Sequence, residues 1–296
     1  MSTFFRRHKG RGSYDLFSSY NHFLPGWGGV CLLALLYIVG AFLGAGASKG
    51  LTLISGADLV MKYGILIIYP LTFIPVLLYG SIMSRLDENR TTSVALDNKI
   101  KGCKTAALLA FTGVFATIAA AYVIEPVVLV LPEMPQHMKD QLEMLLEGMP
   151  FWATLLSVCI FAPLFEEWLC RGFVLRGLLQ KTNPAVAIAA SALFFAVIHG
   201  NIWQGVPAFA IGLILGYVYY KTGSLKLTML MHCANNAVAA FASRTPALKD
   251  AETFMDALSP WAYWSIYAAC ILIILCAVVV LKNSQPPQDC QACRHQ

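Results

Sequence analysis

Eight apolar segments follow one another along this chain, each close to the length needed to cross a lipid bilayer. They are Trp27–Ser48, Val60–Met83, Ala106–Leu131, Phe151–Leu179, Pro184–Gly200, Val206–Tyr220, Leu225–Ser243 and Pro260–Leu281. At about 1.5 Å per residue, such runs match a hydrocarbon layer about 30 Å thick. Lipid offers no partner for backbone N–H and C=O groups, so runs of this length must be helical. Charged residues make up only 12% of the 296 residues, about half the usual 25% of a soluble domain, and the mean hydropathy is +0.64. A soluble enzyme, a disordered scaffold and a small disulfide-stapled domain are excluded. The net charge of +5 does not point to nucleic acid, because the basic residues sit in short connections between apolar runs. The expected fold is all-α: a polytopic bundle of about eight transmembrane helices in a lipid bilayer.

The basic residues also orient the bundle. With both ends inside, only Lys49, Lys62, Lys139, Arg244 and Lys249 of the 21 Lys and Arg fall outside, as the positive-inside rule requires. This predicts a multi-pass protein of the plasma membrane with cytoplasmic termini. The organisation that follows is a cytoplasmic segment 1–26, three helices over 27–131, an outer loop 132–150, a helical core 151–243, an outer loop and last helix over 244–282, and a cytoplasmic tail 283–296. Ala45-Gly46-Ala47 resembles a signal-peptide cleavage site, but the apolar run is longer than such a peptide's, so a retained first helix is expected. In the outer loop, Met138, Leu142, Leu145 and Met149 recur at helical spacing, which fits an interfacial helix as well as it fits a solvated loop. Gly212 and Gly216 suit close helix packing.

Six of the nine cysteines (Cys31, Cys159, Cys170, Cys233, Cys270, Cys276) fall inside apolar runs and read as small apolar side chains. Cys290 and Cys293 form an isolated C-x-x-C, weak as a metal signature. Glu125, beside Pro126 near the outer end of the third run, reads as a hydrated helix end.

An ionisable side chain deep in a bilayer costs several kcal/mol and normally has a task. Lys62, Arg176 and Lys226 lie near run ends and are expected to snorkel to the interface. Glu166, Glu167, Arg171, His199 and His232 remain, in three local motifs. In Glu166-Glu167-Trp168-Leu169-Cys170-Arg171, Glu167 and Arg171 are i,i+4 neighbours able to pair, while Glu166 lies about 100° round the helix and is left to face a cavity. Taken as a buried charge cluster that holds helices together, the motif accounts for Glu167–Arg171 but not for Glu166. In the second motif Phe195 shares a face with His199; a single histidine at a helix end is more often structural. In the third, His232 shares a face with Asn236. Glu166 and His199 are equidistant in sequence from a turn at Thr182-Asn183, about 25 Å from it. With allowance for a turn projecting into the cytoplasm, the four polar side chains are expected to meet in the inner half of the membrane.

A carboxylate, two imidazoles and an amide in a wet pocket suit activation of water against an acyl group. Glu166, assisted by His199, would take the proton, and His232 and Asn236 would donate to the oxyanion. The same set could hold a divalent metal such as zinc through Glu166, His199 and His232, and the spacing leaves both open. An ion- or proton-coupled carrier and a non-catalytic peptide-binding or immunity protein are the other classes such residues serve; the inverted repeats expected of a carrier are not detected.

E-E-x-x-x-R, F-x-x-x-H and H-x-x-x-N, in that order on successive apolar runs, resemble the CPBP family, which comprises the CAAX prenyl proteases and bacteriocin-processing proteins. The resemblance covers about 151–240. It implies an eight-helix intramembrane endopeptidase acting on a membrane-associated protein or peptide. Carried over, Glu166 is the base and His199 its partner, His232 and Asn236 stabilise the oxyanion or bind metal, and Glu167, Arg171 and Phe195 support them. The family is described both as metal-dependent and as a metal-free glutamate type.

Overall fold

The computed structural model describes residues 16–245 and 253–283; the basic cluster Arg6–Arg11, Lys249 and the Cys290/Cys293 pair lie outside them. Among the described residues all regular structure is helical. The elements are α1 (Trp27–Ser55), α2 (Ala57–Tyr63), α3 (Ile65–Asp87), α4 (Cys103–Val123), α5 (Glu125–Val128), α6 (Gln136–Glu143), α7 (Phe151–Leu178), α8 (Pro184–Val197), α9 (Ile202–Thr222), α10 (Leu225–Ala242), α11 (Phe254–Ala257) and α12 (Pro260–Lys282).

Among the described residues, six helices are long and apolar enough to cross a membrane: α1, α3, α4 continued through α5, α7, α9 and α12. The other two expected spans form helices but differ from that standard. α8 has only 14 residues, and α10 has 18 and carries the polar motif of His232, Asn235 and Asn236. The sixth run, expected to be short, is instead a 21-residue helix, because Asn201 caps its start by accepting from Gln204 N at 2.8 Å. Gly200 (φ 71°) makes the left-handed turn that separates it from α8. The second expected run is divided at Gly64 into α2 and α3.

Helices in lipid associate through close packing rather than a hydrophobic drive. At Gly212 a Cβ would lie 3.0 Å from Ala192 Cα, which bears out the expected tight contact of α9 with α8. At Gly40 a Cβ would lie 1.9 Å from Thr72 O, a backbone atom that cannot swing away. Gly40→Ala is therefore expected to force α1 from α3 at a cost of about 1–3 kcal/mol, read as a lowered midpoint of thermal unfolding in detergent.

Arg176 does not snorkel. It is 2% exposed, and its guanidinium donates to Val94 O (2.6 Å), Tyr20 O (2.8 Å) and Phe23 O (2.7 Å). Three carbonyls left over in the irregular segments 20–26 and 88–102 satisfy it where an interface would have done so. Phe17 and Phe23 are correspondingly packed into the core, with Phe17 edge-on to Trp168 at 4.9 Å. Lys62 pairs with Asp58 at 2.9 Å and Lys226 with Asp97 at 2.9 Å. Glu125 is no hydrated end: its Oε1 accepts from Phe254 N at 2.5 Å and ties α5 to α11. The described cysteines are free; Cys159, Cys170 and Cys270 are buried, whereas Cys31, Cys103 and Cys276 are exposed on the helical surface.

Of the two readings of the 132–150 segment, the structure has a helix there, α6. α6 runs on through wider i→i+5 turns to Gly148. Its apolar edge is turned inward rather than toward lipid: Leu142, Leu145 and Leu146 line a cavity. Arg244 fastens the end of this segment by donating to Leu146 O (2.9 Å) and Met149 O (2.7 Å).

Candidate active site

The site is built on α7, α8 and α10. α7 is wound partly as π-helix, over Leu155–Phe161 and Trp168–Leu175. Pro163, which lacks an N–H and crowds the turn before it, directly follows the first wide stretch. Between the two stretches lies the α-helical turn that carries Glu166 and Glu167.

The two glutamates have separate environments, as the spacing predicts. Glu167 is fully buried. Its Oε1 accepts from Arg171 Nη1 at 2.7 Å and lies 3.0 Å from His232 Nδ1. Arg171 is also fully buried. It donates to Gly212 O at 3.0 Å and lies over the Phe195 ring, 4.6 Å from its centroid. Glu166, 9% exposed, borders the cavity. Its Oε1 accepts a hydrogen bond from Tyr69 on α3. Its Oε2 is buried without a hydrogen-bond partner and stands 3.8 Å from His232 Nε2.

Phe195 supports both imidazoles edge-on, His199 at 5.0 Å and His232 at 5.4 Å. His199 Nδ1 lies 2.7 Å from Phe195 O. A carbonyl only accepts, so Nδ1 carries the proton and Nε2 of the neutral ring is left available. The same reasoning protonates His232 Nδ1 against Glu167. Asn236 donates one amide hydrogen to Val158 O at 2.7 Å and accepts from Asn235 at 3.3 Å, which leaves a second Nδ2–H.

Glu166, His199, His232, Asn235 and Asn236 all line one cavity of about 540 Å³, together with Tyr37, Tyr69 and residues of the 142–146 stretch. The convergence of the three motifs holds. His199 follows the end of α8 away from the Thr182–Asn183 turn, and Leu142, Leu145, Trp203 and Gln204 wall the same chamber. The cavity therefore sits at the end of the bundle that carries the 132–150 segment.

The metal alternative finds no ligand set here. Among the described residues, no three His, Cys, Asp or Glu side chains are grouped as a metal ion needs.

Tyr37 and Tyr69 were missed from sequence. Both stand in apolar helices, where a tyrosine reads as an interfacial anchor, so nothing in the sequence marked either.

Residues 148–238 match the family described as type II CAAX prenyl endopeptidase Rce1-like. The chain is 31% identical over 80 residues to the "Uncharacterized protein YyaK" of Bacillus subtilis (strain 168), covering 24% of this chain and 27% of that protein. It is 27% identical over 125 residues to the "UPF0177 protein YxdF" of Lactococcus lactis subsp. lactis (strain IL1403), covering 42% of this chain and 69% of that one. The chain thus spans little more than a quarter of the first relative's length. No solved structure matches. The match over 148–238 supports the resemblance of the segment carrying the three motifs to the CPBP (CAAX protease) family. The chain as a whole is an integral membrane protein.

Proposed function

We propose that this protein is an intramembrane endopeptidase that hydrolyses a peptide bond of a membrane-associated protein or peptide with water activated by Glu166. The observation that carries this reading is the free Oε2 of Glu166, buried on the cavity wall and 3.8 Å from His232 Nε2. The Oε2 atoms of Glu125 and Glu167 are unpartnered as well, but of the three carboxylates only Glu166 lines the cavity.

Water entering between Glu166 Oε2 and His199 Nε2 gives its proton to the carboxylate as its oxygen attacks the scissile carbonyl carbon. The C=O electron pair moves onto oxygen, where the second Nδ2–H of Asn236 and a protonated His232 Nε2 donate to it. The C–N bond then breaks, and the amine leaves with the proton held by Glu166. In this reading His232 works as the imidazolium, with Nδ1–H on Glu167 and Nε2–H on the oxyanion. Glu167 and Arg171 stay paired and hold His232 in place. No step runs through a metal ion.

Comparative proteomics of membranes carrying the wild-type protein or Glu166→Gln tests the reading. Peptides that stay intact only in the variant are expected; identical peptide profiles in membranes where both proteins are present overturn it. The carrier and peptide-sequestering alternatives have no observation of their own to favour them.

We also infer that the plasma membrane holds the protein with both termini cytoplasmic, from the distribution of basic residues. With that orientation the chamber opens toward the outer face. A cysteine introduced at exposed Gln136 is then expected to take up a membrane-impermeant maleimide in intact cells beyond the wild-type level. Labelling only after permeabilisation reverses the orientation.

A further inference from the structure

The polar groups outside the three motifs that reach the cavity from α1 and α3 are Tyr37 and Tyr69, and they do different things. Tyr37 donates to a backbone carbonyl, Ile198 O, at 3.2 Å, as buried tyrosines do to satisfy themselves. Tyr69 instead donates to Glu166 Oε1, an acceptor that belongs to the cavity. Its ring is held by Phe73 at 5.4 Å, and Phe73 stacks at 5.2 Å on Phe165, the residue beside Glu166. The phenol and the carboxylate that receives it are thus fixed by one aromatic cluster.

A glutamate carboxyl turns readily about its last bond, since terminal sp³–sp² torsions are broad. Left untethered, either oxygen of Glu166 could face the chamber. One hydrogen bond decides: with Oε1 tied to Tyr69, Oε2 is the oxygen turned toward His232. We propose that Tyr69 is a positioning residue of the hydrolytic site, setting which carboxylate oxygen of Glu166 is presented to water. This rests on the protease reading of Glu166. It adds a residue from α3, outside the 148–238 stretch that carries the family likeness, and implies that the N-terminal helices complete the site rather than merely anchor it.

The test separates the two claims by measuring the carboxyl group without any substrate. Infrared difference spectra of the purified full-length protein in detergent locate the Glu166 carboxyl band as the one lost in Glu166→Gln. Tyr69→Phe keeps the ring and removes the donor, and is expected to shift that band. 3-Fluorotyrosine placed at position 69, nearly isosteric and a stronger donor, is expected to shift it the opposite way. In membranes, Tyr69→Phe is expected to slow processing of the peptides that accumulate in Glu166→Gln by about 10- to 100-fold, the worth of a hydrogen bond to a charged group, with the thermal midpoint little changed. A Glu166 band unmoved by both substitutions overturns the inference, whatever the peptides do. If Tyr69→Phe fails to fold, the fluorotyrosine protein alone decides. A band that shifts while no peptide accumulates in Glu166→Gln overturns the protease reading, and with it the role of Tyr69 in catalysis.

Discussion

Glu166→Gln is expected to lower peptide cleavage by about 10²- to 10⁴-fold, the usual contribution of a general acid–base group, while leaving the folded bundle intact. Glutamine keeps the shape and the Oε1 acceptor for Tyr69 but cannot take a proton from water. Glu166 bears no ion pair with Arg171, so its neutralisation leaves that cation paired with Glu167. The neighbouring substitution Glu167→Gln is expected to behave in the opposite manner. It removes the one carboxylate that pairs with Arg171 and also meets His232, and the loss should appear first as reduced stability. Cleavage of the peptides recovered from Glu166→Gln membranes, measured beside thermal unfolding in detergent, checks both. Equal loss of stability in the two variants would contradict the division of roles between adjacent glutamates.

Replacing Arg171 by Met is expected to destabilise the protein by about 3–5 kcal/mol, the cost of breaking a buried pair by removing one partner. Both members are fully buried, so no water reaches the abandoned carboxylate. The guanidinium also carries the bond to Gly212 O and the contact with Phe195, so α7, α8 and α9 lose a common tie. Against the 5–15 kcal/mol typical of folded domains, a loss this size should be visible as poor accumulation in membranes. The double variant Arg171→Met with Glu167→Gln is expected to recover part of the stability, because it removes both charges together. A double-mutant cycle measures the coupling; additive losses would show that the pair is not what holds these helices. Recovery should not extend to activity, since His232 would lose the carboxylate that orients its ring.

Much of the site was legible in the chain because lipid makes a few residues conspicuous. A carboxylate has no neutral explanation in an apolar helix, so Glu166, Glu167, Arg171, His199 and His232 stood out, and helical periodicity correctly separated Glu167 with Arg171 from Glu166. Arg176 was misread for want of a tertiary fact: whether a cation near a helix end snorkels or is buried depends on whether carbonyls such as Val94 O, Tyr20 O and Phe23 O are left over nearby. Glu125 was misread in the same way, since Phe254, its partner, is remote in sequence. Tyr69 gave no signal, because a tyrosine is at home near the end of a membrane helix and its one significant contact crosses from α3 to α7.

Local periodicity and the intolerance of hydrocarbon for unpaired polar groups were enough to determine the helices, their number to within the two shorter ones, and the residues that had to share a cavity. Packing between distant segments alone decided which end of the bundle the cavity occupies, which oxygen of Glu166 is left free, and how the 132–150 segment comes to wall the chamber. Repeating hydropathy records what each residue's own helix needs; it carries no information about which neighbour's hydroxyl or carbonyl arrives from elsewhere to meet it.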